Sequence, residues 1–185
     1  MSALRRSPIV LFGALLASSL SGVPLATPLG AQARPRDVES IDAIIEALYE
    51  SISGPAGERR DWNRFRSLFI DGARLIPTRP RPDGAIGHQV ITVDAYIQSS
   101  GAMLEERGFF EREIHRTAER YGPVVHAFST YESRWAAEDP NPFDRGINSI
   151  QLLHDGSRWW VVGIFWHSEG AGTPIPTKYL PGNGL

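Results

Sequence analysis

The apolar positions of this chain change period part-way along. Val38, Ile41, Ile45, Leu48 and Ile52 recur at three and four residues, one stripe of an amphipathic helix that Asp37 can cap and Gly54-Pro55 ends. Asp61 can cap a second, short helix with Trp62, Phe65, Leu68 and Phe69 on its inner side, stopped near Gly72. A short strand over 73–77 leads into the irregular loop PTRPRPDGAIG, and 88–93 predicts a second strand. Thr92 then caps a third helix through Val93, Tyr96, Ile97 and Leu104, with Gly101 weakening it and Gly108 as its stop. Beyond Gly108 the period falls to two, and 109–121, 124–135, 145–154 and 157–167 predict strands. Gly122-Pro123 and Asp155-Gly156 are the turns between neighbours.

Helices first, then a strand pair, a helix and four successive strands predict an α+β fold, a curved sheet with helices on one face. Residues 1–33 stand apart: Arg5 and Arg6, the apolar run IVLFGALLASSL, then Ala31-Gln32-Ala33. A charged start, a short apolar stretch and a small-x-small site predict a secretory signal peptide cut after Ala33, and twelve apolar residues fall short of a membrane span of about 20. The expected organisation is a signal peptide over 1–33, one domain over 34–169 and an extended Gly/Pro-rich tail over 170–185. The expected location is the periplasm or the exterior, with no membrane contact after cleavage.

Composition narrows the functional classes. A formal charge of −2 gives no basic face, which sets nucleic acid aside as a partner. The absence of cysteine excludes disulfides, thiol catalysis and lipid attachment at a cysteine. The sole lysine, Lys178, lies in the tail, where Schiff-base chemistry would have to be built.

Three stretches, YGPVVHAFSTYESRW, RGINSIQL and HDGSRWWVVGIFWHSE, together with this order of elements, resemble the nuclear transport factor 2-like superfamily, in particular its SnoaL-like bacterial members. The resemblance spans residue 37 to about residue 169. It implies a cone-shaped, curved antiparallel sheet with the N-terminal helices packed on its concave face, enclosing an apolar cavity open at one end. The superfamily includes ketosteroid isomerases, dehydratases, epoxide hydrolases and polyketide cyclases alongside transport adaptors, so the fold leaves function open. Such relatives commonly dimerise through the outer face of the sheet, which implies a homodimer here. The carboxylic acid that the isomerases carry on the strand before the last is missing from Ile147-Asn148-Ser149-Ile150.

Strand alternation assigns faces. A two-residue turn at Asp155-Gly156 pairs Gln151 with Trp160 and Ser149 with Val162, and comparison with the isomerases puts the Trp166 face inside the cone. Ser149, Gln151, Trp166 and Phe128 are then the candidate ligand-binding residues, in a pocket that takes a small, largely apolar molecule. Turning at Gly122-Pro123 pairs Glu119 with His126, His115 with Thr130 and Glu113 with Glu132. His126, His115, Glu132 and Glu119 share one face and are the candidate catalytic set, because a carboxylate fixes an imidazole's tautomer and raises its basicity. The same groups on a solvated sheet surface would be ordinary cross-strand pairs. No local spacing such as HExxH points to a metal, and no cofactor is expected. Three functions follow as expectations: an exported small-molecule-binding domain, a cofactor-free lyase or isomerase using a His/Glu pair, or a non-catalytic interaction module.

Overall fold

The computed structural model describes residues 32–170 and 172–182; the stretch expected to be a signal peptide lies, but for its last two residues, outside the described residues. The first helix, α1 (Ile41–Ile52), begins later than expected. Its cap is Ser40, whose hydroxyl accepts from the Ala43 amide, while Asp37 ends a short 3-10 turn and is buried. Asp37 serves as an anchor instead: Arg64 of α2 (Trp62–Ser67) holds it through two hydrogen bonds of 2.7 and 3.0 Å and reaches on to Glu50. Asp61 caps α2 and Thr92 caps α3 (Val93–Arg107), each by accepting from the amide three residues on.

Six strands form one sheet in the order β2-β1-β6-β5-β4-β3. They are β1 (Phe69–Pro80), β2 (Ile86–His88), β3 (Phe110–Tyr121), β4 (Val124–Arg134), β5 (Asp144–His154) and β6 (Trp159–Ser168). The sheet is mixed, because β1 runs parallel to β6, while every other pairing is antiparallel. Strand β1 is longer than the hydrophobic pattern implies, and it takes over Phe69.

Two irregularities decide which side chains face the helices. In β3 the ladder pairs Glu113 with Tyr131 and His115 with Thr130, leaving Ile114 as a bulge. In β6 it pairs Val161 with Leu152 and Gly163 with Gln151, leaving Val162 as a bulge. An extra residue reverses alternation beyond it. The β5–β6 connection is also longer than expected: His154 pairs with Trp159, and Asp155 closes the loop by accepting from the Ser157 and Arg158 amides and from Trp160 Nε1.

The core lies between α1 and the concave face. Ile44, Ile45 and Leu48 of α1, with Leu68 and Phe65, meet Val125, Ala127, Ile150, Leu152, Val161 and Ile164 of the sheet. The tail docks on the convex face, where Thr130 Oγ1 donates to the Tyr179 carbonyl at 2.7 Å and the Tyr179 ring lies 5.4 Å from that of Phe128.

Candidate functional site

Across β3, β4, β5 and β6 the concave face reads Glu111–Ser133–Asp144, then Glu113–Tyr131–Gly146–Ser168, then Arg116–Ser129–Asn148–Trp166, then Ala118–Ala127–Ile150–Ile164. One end of the cone is therefore polar and the other apolar. Without the Ile114 bulge, Glu111 and Glu113 would share a face with His115 and point away.

A cavity of about 200 Å³ lies under this face, walled by Tyr49, Phe65, Tyr96, Phe109, Tyr131 and Trp166, with Glu111 and Asn148 among its polar lining. Glu111 lines both the cavity and a neighbouring cleft between α1 and β3. Its accessible surface faces these hollows, and burial pushes its carboxyl up to about 7. The Ser133 hydroxyl, donating to Oε2 at 2.8 Å, and the Asn148 amide pull the other way, while the Asp144 charge adds to the rise. Asp144 itself accepts from Ser168 Oγ at 2.9 Å and, more weakly, from Tyr131 Oη at 3.4 Å.

A directed chain of hydrogen bonds runs from the cavity wall to the surface. Ser129 Oγ donates to Glu113, so Tyr49 must be the donor in its 2.6 Å contact with Ser129, and Asn148 Nδ2 donates in turn to Tyr49 Oη at 3.1 Å. Arg116 grips Glu113 with its Nε and Nη2 and ties it to Asp42 of α1. The chain fixes the Asn148 amide with nitrogen toward Tyr49. Burial, followed by the Glu111 charge, raises the Tyr49 and Tyr96 phenols above the usual range. Both stay protonated donors.

Of the residues singled out from sequence, the structure brings Trp166 into the cavity wall. The others lie elsewhere. His126 is on the convex face, its Nε2 3.1 Å from Ser149 Oγ and its ring 5.1 Å from that of Phe128. His115 and Glu119 follow on the same side, opposite Thr130 and His126. Glu132, also on that side, is bound by Arg134 at 2.6 Å and by Arg112. Burial would raise its carboxyl, but the hydrogen bonds from Arg134 and Arg112 hold it below the usual range. Ser149, Gln151 and Phe128 are convex-face residues too, because the ladder pairs Leu153, not Gln151, with Trp160 and Ser149 with Phe165. The face shared by His126, His115, Glu119 and Glu132 is thus not the face of the cavity. Among the described residues no three His, Asp or Glu groups cluster as metal ligands.

Glu111, Asn148, Tyr49, Tyr96 and Tyr131 escaped the sequence reading of the site. One signal was available: in β4 the alternate set Val125, Ala127, Ser129 and Tyr131 is the smaller and more apolar, which marks the packed side.

No family model and no curated protein matches this chain. Among solved structures, a protein of unknown function with a cystatin-like fold from Nostoc punctiforme matches at 13% identity and TM-score 0.53, covering 76% of this chain and 91% of that one. An NTF-2 like protein of unknown function from Silicibacter pomeroyi matches at 17% identity and TM-score 0.47, with coverages of 71% and 94%. An NTF2-like superfamily protein from Salmonella enterica matches at 14% identity and TM-score 0.46, with coverages of 80% and 93%. At such identities the likeness speaks to the fold.

Proposed function

We propose that this chain, which has the cone fold of nuclear transport factor 2-like proteins, binds a small, largely apolar molecule in the hollow of the cone. The observation that carries the reading is the aromatic-walled cavity of about 200 Å³ with the carboxyls of Glu111 and Asp144 in its lining. An apolar enclosure with a few convergent polar groups is the general form of a ligand site. Ser100, on the cavity side of α3, offers the test. Small aromatic and alicyclic compounds are screened on the protein by tryptophan fluorescence and NMR, and a Ser100→Phe variant that keeps its circular dichroism loses the binding found. Binding unchanged by that filling residue would overturn the assignment.

A second reading, cofactor-free proton transfer as in a lyase or isomerase, is favoured by the Glu111 carboxyl poised near 7 in a partly closed site. It replaces the His/Glu pair by Glu111 with Tyr96 as neighbouring donor. Once a substrate is found, Glu111→Gln is expected to abolish turnover while leaving binding within a few-fold; full activity in that variant would sink the reading.

Export is part of the proposal and is supported by the pattern of residues 1–33 alone. A cut after Ala33 leaves Arg34 as the first residue, paired with Asp61 at 2.9 Å. Homodimerisation is also part of it, supported by the apolar side chains left on the convex face, Ile86, Val90 and Phe165.

A further inference from the structure

The identity of the ligand is legible one step further in the polar atoms that the protein leaves open around the cavity, a step that rests on the cavity reading above. The Glu111 carboxyl is already held, by Ser133, which donates to Oε2, and by the Asn148 amide. The Asn148 nitrogen is committed to Tyr49 and to Glu111, and its oxygen has no hydrogen bond to a described residue. No fully buried side-chain oxygen or nitrogen lacks a partner among the described residues, so the Asn148 oxygen must border open space, and Asn148 lines the cavity. Tyr96 lines it too, packed between Phe65 at 5.7 Å and Trp166 at 6.4 Å, and its hydroxyl has no hydrogen bond to a described residue.

One acceptor and one hydroxyl therefore await the ligand. A group that donates to the Asn148 oxygen and accepts from the Tyr96 hydroxyl satisfies both. A hydroxyl does both, a carbonyl or ether only accepts, and a ring N–H only donates. Size limits the part of the molecule held inside: a cavity near 150 Å³ holds benzene, so about 200 Å³ admits one ring or a small fused pair. The aromatic wall favours a flat ring, and the carboxyls of Glu111 and Asp144 disfavour an anion. We infer that the cavity takes a neutral hydroxylated ring compound of one or two rings, and that Asn148 reads its hydroxyl as a hydrogen-bond donor. Tyr49, Ser129 and Glu113 are positioning residues in this account, since their directed chain sets the Asn148 amide.

Phenol, anisole and toluene test it on the full chain by NMR titration. Phenol is expected to bind at least about tenfold tighter than either of the others, since anisole cannot donate and toluene can do neither. In Asn148→Leu that preference collapses while toluene still binds; if the variant does not fold, the anisole comparison on the unaltered protein decides. Equal binding of all three overturns the inference and leaves the cavity reading standing. Binding of none overturns both.

Discussion

Glu111 shows how one residue can be costly to the fold and useful to a site. Its carboxyl is held near 7, above the ordinary 4.5, chiefly by burial. Between about 7 and 4.5 the folded chain therefore binds a proton that the unfolded chain does not, so stability rises as pH falls through that window. Below 4.5 and above 7 this group adds no slope. The contribution is on the order of 3–4 kcal/mol at most, taking about 1.4 kcal/mol per unit between 4.5 and about 7. Glu132 and Glu169 act oppositely: their carboxyls are depressed, and their share of stability is lost only as pH falls below the ordinary carboxylate range. Glu111→Gln removes the titration without removing the shape. Urea denaturation at intervals from pH 8 to pH 5 should show the parent gaining stability relative to the variant as pH falls, and parallel curves would contradict the assignment.

At the scale of elements, the helices, the four long strands and the hairpin at Gly122-Pro123 were legible because periodicity and turn residues report them directly. The hairpin register was right from Tyr121 to His115, and the faces of His126 and Glu119 relative to each other followed. What failed was alternation beyond Ile114 and Val162. Neither bulge carries a glycine, so nothing local marks it, and a single uncounted residue moved Glu111 and Glu113 into the cone. The parallel β1–β6 pairing was hidden for a related reason, because sequence order suggests neighbours in space only for consecutive strands. Gly146 shows a constraint of the other kind, visible only once β5 is placed. A Cβ there would overlap the Tyr131 hydroxyl and the His167 carbonyl. Gly146→Ala should destabilise the protein by roughly 1–3 kcal/mol in chemical denaturation. In a Tyr131→Phe background, where one of the three clashing atoms is gone, the added cost should be smaller. An alanine variant as stable as the parent would show that β5 and Tyr131 do not pass so closely.

At the scale of the whole molecule, the sheet has one face committed to the core and another only partly covered. The tail accounts for part of the cover: Ile175 is buried, its amide donates to Glu169 at 3.0 Å, and Tyr179 sits over Phe128. Past the tail, toward β1 and β2, a shallow groove of about 480 Å³ remains, bordered by Ile76, Ile86, Val90, Gln151 and Phe165. Ile86, Val90 and Phe165 are each more than half exposed, at 53%, 59% and 51%. Large apolar side chains gathered in this way on one face carry a standing cost in water, and a second copy presenting the same groove would bury both sets about a two-fold axis. Phe165, central in the sheet and pointing outward beside Ser149, is the residue such an interface would bury most deeply. Phe165→Glu would place a charge in it without touching the cavity, since Phe165 does not line that space. The expected result in analytical ultracentrifugation is a dimer for the parent and a monomer for the variant at the same concentration, with ligand binding kept. A parent that sediments as a monomer at micromolar concentration would reject the dimer.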